Sequence, residues 1–413
     1  MDDGCYDLAV VGLGSVGLAT ALAAAEGGLR VALIDPVPAQ RIREGQFDGR
    51  DVAISNSSLR WLDRLGVTQQ LASHERSTIK GARVLDRVTD GHLELGPAPG
   101  EDTIGAFVPE YRLRQLAFER LQGVPNCTLL LERKVVAVAQ DDQRVALTLD
   151  DNTQVNARLL AAVDGRRSPM RGMLGIGASF TDYAMRMLCC RVEHSEANDG
   201  WTSQQFTGAG CQAILPLTEH SSSLALMMPE SEAQALVDSP DNEFEQWVEA
   251  QLGERLGRVK LASSRFNVPL SSHYAAHFHQ GRAVLLGDAA VGMLPITAHG
   301  LNLGLIGARS FTAEILAARG RGEACDSEAV LKRFSQRAHA TARPLYLATN
   351  EICTLFRRSD PLSLMARRVL MKASGPFGTL VGMNCEQDDP RQVPWLGVLK
   401  ALPEAFLSAR LKG

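Results

Sequence analysis

Two groups of residues in this chain have the types and spacing needed to hold a dinucleotide. The first is Gly12-x-Gly14-x-x-Gly17, followed by Asp35. In such a fingerprint the first glycine permits a sharp turn, the second lets the backbone approach a pyrophosphate, and the third lets a helix pack on its strand. The N-terminus of that helix then faces the phosphate charge. Asp35 is placed to accept hydrogen bonds from ribose hydroxyls, and a carboxylate there disfavours a 2′-phosphate, so the site suits FAD or NAD better than NADP. The second group is GDAAVGMLPITAHGLNLG, residues 287–304. Gly287-Asp288 ends an apolar run and offers a carboxylate to a ribityl hydroxyl. Pro295 stiffens the next turn, and Gly300-Leu301-Asn302 opens a helix whose unpaired N–H groups can face an anion. A reduced flavin carries negative charge at its pyrimidine edge, so this second group favours FAD over NAD.

The elements that must position these residues are legible in outline. YDLAVVGLGSVGLATALAAAEGGLRVALIDP reads as a buried strand, a glycine turn, an Ala-rich helix and a second buried strand, which is a βαβ unit. Residues 52–73 read as a helix, and YRLRQLAFERLQ as a second, amphipathic one. Strand-like patterns fill residues 79–108, the segment from Cys127 to Gly165, and residues 180–270, the last broken by a helical DNEFEQWVEAQLG. After GRAVLLGDAA the chain reads as helical. The expected fold is therefore α/β: a Rossmann-like domain with a parallel sheet, an inserted domain built on a mixed or antiparallel sheet, and a helical C-terminus. The first domain is expected over residues 1–78, 105–180 and 271–345. The inserted domain should cover 79–104 and 181–270, and the helical region 346–413.

Composition narrows the class. At 413 residues with a net charge of −4, the chain has no basic excess and no zinc-type spacing, so nothing points to nucleic acid. Eight scattered cysteines without a C-x-x-C suit reduced structural thiols in a reducing cytoplasm. Acidic residues stand where a secretory signal needs positive charge, and no uncharged apolar run reaches the ~20 residues of a membrane span.

Three ordered motifs, GLGSVG, AAVDGRRSPMR and GDAAVGMLPITAHGLNLGL, carry a resemblance over nearly the whole chain. The sequence resembles the FAD-dependent aromatic hydroxylases of the p-hydroxybenzoate hydroxylase fold, and more narrowly the ubiquinone-biosynthesis hydroxylases UbiH, UbiF and UbiM. The TAHGLN version of the third motif resembles the UbiM branch. The resemblance implies that Asp164 and Gly165 lie near the flavin pyrophosphate and the nicotinamide donor. It implies further that Arg50 lies near the flavin and that Arg114 contacts the cofactor from a helix start. Two positions depart from the family pattern. Val291 stands where a histidine is usual, and Ala298-His299 where Gly-Gln is usual.

The chemistry implied is that of a reduced flavin which reacts with O2 to give a flavin hydroperoxide, whose terminal OH passes to an electron-rich phenol or quinol ring. NADH or NADPH is the implied electron donor. The protein positions the ring and excludes water. His299 is the first candidate for a base that deprotonates the phenol, beside Pro295 at the proposed flavin ring, and a loop-shaping role for it is equally open. His273, His277 and His279 read as packing or solvent-facing residues. Gln212, Ile214 and Pro216, on a strand resembling the one that covers the flavin face, are candidate pocket-wall residues; a plain core strand is an equal reading.

A polyprenylated phenol or quinol substrate lives in the bilayer. Residues 343–383 combine Leu, Met and Phe with Arg357, Arg358, Arg367, Arg368 and Lys372, and PWLGVLKALPEAFLSARLKG offers a second amphipathic tail. These suit peripheral contact with the inner face of the membrane, or a ubiquinone-biosynthesis complex that carries the substrate; plain helices packed on the flavin domain are the other reading. Two further functions stay open: a flavoprotein of the same fold acting on a soluble aromatic or isoprenoid substrate, and a non-catalytic flavoprotein that serves in assembly.

Overall fold

The computed structural model describes residues 4–372. Its organising element is a sheet in which Tyr6–Val11 pairs in parallel with Val31–Asp35 on one side and Gln154–Ala162 on the other. Cys127–Leu131 and Ala283–Leu285 extend the parallel array outward, and the hairpin Val135–Gln140 and Val145–Leu149 continues from the early part of Gln154–Ala162. The central strands are apolar on both faces because both are covered. Leu8 and Val10 face helices Ser15–Glu26, Glu110–Gln122 and Gly300–Gly320, whereas Ala9 and Val11 face the hairpin and the helix Glu328–Arg357.

A second, nine-stranded sheet forms the inserted domain. Its spine is the long strand Ala178–His194, antiparallel to Ser221–Pro229 and to Phe266–Ala275. Gly81–Asp86 and Gly91–Leu95 join at the far edge, where Gly81–Asp86 runs parallel to Trp201–Phe206. Helices Glu230–Asp238 and Asp241–Leu256 cover one face around Phe244, Val248 and Leu252. The other face, with Met185, Met187, Phe206, Met227 and Leu270, packs against Leu294, Ile296, Phe356 and Met371. Arg191 fastens the two domains: its Nε donates to Asp51 at 2.9 Å, and its guanidinium lies 4.1 Å from the Phe47 ring centroid.

Several expectations are corrected here. Residues 52–73 are not one helix. Asp51–Ser55 is a strand, paired with Gly105–Pro109 in a small sheet completed by Ser77–Ile79, and the helix is only Asn56–Arg64. Ser55 ends the strand and caps the helix, its hydroxyl accepting from the Ser58 N–H, so one residue closes both elements. The boundary expected at residue 345 falls inside the continuous helix Glu328–Arg357. The amphipathic tail expected after residue 393 lies outside the described residues. Among the described residues no helix is long and apolar enough to cross a membrane.

Candidate active site

The glycine turn between Tyr6–Val11 and Ser15–Glu26 shows which of its glycines serve the chain and which leave room for something else. Gly12 sits at φ +119°, and a Cβ there would come within 2.3 Å of the Val163 carbonyl oxygen. A Cβ on Gly17 would meet the Gly12 oxygen at 2.0 Å. Gly14 differs: a Cβ there would meet nothing within 4 Å. Its open side, at the N-terminus of a helix, is the cradle expected for a pyrophosphate.

Three side chains from distant segments hold this turn, Asp35, Glu110 and Arg114. The Asp35 carboxylate accepts from the Leu13 N–H at 2.7 Å and from the Val37 N–H at 2.8 Å. Burial raises its pKa, and those two hydrogen bonds oppose the rise. Asp35 therefore fastens the loop, and its remaining lone pairs are what it can offer a ribose. Glu110, buried at the start of helix Glu110–Gln122, accepts from Ser15 Oγ at 2.8 Å and from Arg50 at 2.9 Å. Arg50 also pairs with Asp48. Arg114 donates to the Leu13 carbonyl at 3.3 Å from the same helix as Glu110. Glu110 escaped sequence reading, and the only signal available was an acid opening the helix that carries Arg114.

Asp288 follows the strand Ala283–Leu285 on a short turn, and Gly287 there has φ +54°. Its carboxylate accepts from Arg166 Nε at 3.0 Å. Arg166 also donates to the carbonyls of Ser271 at 2.7 Å and Met293 at 2.8 Å, so one guanidinium ties the middle motif to the third. Both side chains stay more than a third exposed, at 36% for Arg166 and 39% for Asp288. Arg166 is a second residue that sequence reading missed, although it lies inside the quoted AAVDGRRSPMR. Asp164 has a structural task beside any contact with a ligand. It accepts from Ser168 Oγ and from the Met170 N–H at 2.9 Å at the start of helix Pro169–Met173, and burial raises its pKa against those two bonds. Gly165 beside it faces open space.

The loop after Asp288 carries both departures. Val291 is buried and pairs across the sheet with Tyr274, so the position usual for histidine here points a methyl-bearing side chain into the core. Val291, Gly287, Gly304 and Ala338 line a small, mostly apolar hollow beneath the turn. An imidazole does reach this region from the neighbouring strand. His273, 1% exposed, shares a hydrogen bond of 2.8 Å with the Asp288 carbonyl and stacks on Phe180. Burial lowers its pKa, and the nearby Arg171 cation lowers it further. His273 thus packs, as expected, but beneath the cofactor motif rather than toward solvent.

Pro295 is exposed at the start of a one-turn helix that ends at Ala298, and Ala298 has φ +53°. The residue usual there is glycine, and the left-handed backbone is the reason. His299 takes the cap position of Gly300–Gly320 without a side-chain capping bond and is half-buried. Gly300 faces open space, and Leu301 is half-buried against the core of the first domain. Asn302 is 5% exposed, and its side chain is engaged by protein. The oxygen accepts from the Ser55 N–H at 2.9 Å, and the amide donates to the Ala53 carbonyl at 2.8 Å. Its side chain therefore pins the helix start to strand Asp51–Ser55, leaving the helix N–H groups to face a ligand.

The candidate pocket-wall residues lie on the helix-covered face of their strand. Ile214 packs in the cluster of Phe244, Val248 and Leu252, and the Gln212 amide donates toward Gln251 at 3.4 Å on the same helix. Pro216 shares their parity, so these three belong to the face away from the Asp288 loop. Cys211 and Ala225 lie on the opposite face, in the cluster with Leu294 and Ile296, and Ala213 pairs directly with Ala225.

A family model described as FAD binding domain matches residues 6–348. Over 387 residues, 92% of this chain and 84% of the relative, the sequence is 32% identical to the ubiquinone hydroxylase UbiM of Neisseria meningitidis. The chain belongs to the FAD-dependent ubiquinone hydroxylases. This hydroxylase is also 30% identical to the 3-demethoxyubiquinol 3-hydroxylase of Escherichia coli, over 81% of this chain and 85% of that one. Its fold matches the crystal structure of p-nitrophenol 4-monooxygenase from Pseudomonas putida with a TM-score of 0.75 at 19% identity, covering 94% of this chain and 99% of that chain. It is accordingly a flavoprotein monooxygenase. FAD fits the residues present: open cradles at Gly14, Gly165 and Gly300, and the half-exposed Arg50, Arg166 and Asp288.

Proposed function

We propose that this hydroxylase inserts one oxygen atom of O2 into the ring of a prenylated phenol or quinol in ubiquinone biosynthesis, with NADH or NADPH as electron donor. A demethoxyubiquinol ring, the substrate in the name of the Escherichia coli relative, is the substrate class proposed. The observation that carries the reading is the junction of the cofactor motif with an apolar face. The loop that follows Asp288 delivers Leu294 and Ile296 into a cluster with Met185, Met187, Met227 and Leu270 of the inserted sheet. When bound, FAD supplies the activated oxygen.

The chain's own residues do the remaining work. Asp35, Glu110 and Arg114 hold the glycine turn that would bind the pyrophosphate of FAD. Arg166 fixes the Asp288 carboxylate, which would accept from a ribityl hydroxyl of bound FAD. The unpaired N–H groups at the start of Gly300–Gly320 would favour negative charge on the pyrimidine edge of bound FAD. His299, at that helix start, is the base that takes the phenol proton. The methionine-lined cluster backs the loop after Asp288 and excludes water from that side of the cofactor site.

The test is turnover of a short-chain demethoxyquinol by the FAD-loaded protein under 18O2, with NADH and NADPH in parallel. One labelled oxygen in the product is expected, and His299→Gln should remove the alkaline gain in rate that a phenol-deprotonating base confers. Oxidation of the donor with hydrogen peroxide as the sole product would sink the reading. Equal turnover of a water-soluble phenol would transfer it to a soluble aromatic.

A further inference from the structure

We propose that helix Pro361–Lys372 is the face by which this hydroxylase lies on an anionic bilayer. The helix is built inside out. One of its charged residues, Arg367, is 1% exposed and donates through Nε to Asp86 at 2.9 Å, while Leu362, Met365 and Val369 are 71%, 57% and 56% exposed. Those three positions, spaced three and four apart, form one outward stripe. Single exposed apolar side chains are ordinary on a protein surface, but a stripe of them on a helix anchored by a buried ion pair calls for something that covers it. Val88, 42% exposed, adds to the apolar surface on the turn that Asp86 caps.

Charge selects the occupant. The helix sequence PLSLMARRVLMK contains no acidic residue. Arg357, Arg358 and Arg368 are exposed on it or just before it, and among them Arg358 pairs with Asp360. An apolar stripe flanked by arginines matches a layer of lipid phosphates above an acyl boundary. Position gives the contact a purpose, on the reading that the substrate is bilayer-borne. The inner side of the same helix contributes Leu370 and Met371 to the cluster that holds Leu294 and Ile296. A bilayer on the outer side therefore lies one helix away from the cluster that backs the loop after Asp288, so a bilayer-borne substrate would have a short path to the cofactor site.

The experiment uses the full FAD-loaded chain and sedimentation with vesicles of phosphatidylcholine, with and without phosphatidylglycerol. Binding is expected to the anionic vesicles and to weaken with salt. The triple variant Leu362→Asp, Met365→Asp, Val369→Asp should weaken it by about tenfold or more, and Arg368→Glu by less. Because these residues lie outside the cofactor site, the triple variant should turn over a short-chain soluble quinol at the wild-type rate. Wild-type sedimentation by the triple variant would overturn the proposal. So would a full chain that binds neither vesicle, or a triple variant whose only change is a lower molar mass by light scattering, which assigns the stripe to a second copy. Vesicle binding without turnover of any quinol would support the docking face and overturn the substrate reading alone.

Discussion

Glu110 accepts a hydrogen bond of 2.8 Å from Ser15, a residue 95 positions earlier that sits in the glycine turn. The other oxygen of the same carboxylate accepts from Arg50 at 2.9 Å. One buried acid therefore sets both the turn that faces the pyrophosphate and an arginine beside the cleft. Glu110→Gln keeps an acceptor for Ser15 and removes the charge that holds Arg50. The Arg50 side chain is 53% exposed, so the expected loss of stability is small, about 1 kcal/mol or less. FAD affinity should fall by about tenfold, and Glu110→Ala should cost about 1–3 kcal/mol of stability as well. Thermal melting and FAD titration by flavin fluorescence separate the two effects.

Gly14 and Gly17 should answer differently to alanine. At Gly17 the new methyl would fall 2.0 Å from a backbone oxygen, and Gly17→Ala is expected to disrupt the strand–helix packing and prevent recovery of folded protein. At Gly14 the methyl meets no protein atom, so Gly14→Ala should fold with a loss within about 1 kcal/mol, the cost of alanine at a helix cap. It should nevertheless fail to retain FAD on gel filtration. A yellow Gly14→Ala protein would show that the pyrophosphate lies elsewhere.

Ala298 occupies a left-handed backbone at φ +53°. Ala298→Gly should raise stability by about 1 kcal/mol, because glycine adopts that conformation without the Cβ clash. A denaturant titration reads the change as a higher midpoint at constant slope. If stability drops instead, the loop does not depend on that conformation.

Stability should decline on the acid side through the buried histidines. His273 is held neutral by burial and by the Arg171 cation, so its folded pKa lies below the value of the unfolded chain. Its contribution is complete above about pH 6.5 and is lost as the pH falls through the depressed folded value, because the unfolded chain takes up the proton first. His194, also buried and lowered chiefly by burial, acts in the same direction. Melting curves from pH 8 to pH 5 should show a falling midpoint, and the fall should be shallower in His273→Gln.

The sequence by itself determined the cofactor, the family and the order of the βαβ framework, because those rest on local patterns: a glycine turn between an apolar strand and an Ala-rich helix, and a strand ending in Gly287-Asp288. A local motif fixes which atoms a short segment can present, and that is enough to recognise a phosphate cradle. Tertiary structure decided what holds the motifs. The Glu110–Ser15, Arg166–Asp288 and Asn302–Ser55 contacts join segments far apart in sequence, and no local pattern assigns a partner across that distance. The strand Cys211–Thr218 shows the same limit at the pocket. Alternation separates Gln212 and Ile214 from Cys211 and Ala213, but both faces are covered, one by helix Asp241–Leu256 and the other by the Asp288 loop. Only the packing of the two layers decides which face meets the loop after Asp288. Helix Pro361–Lys372 carries the point furthest: its composition reads as amphipathic, yet the buried Asp86 draws Arg367 inward and turns Leu362, Met365 and Val369 out.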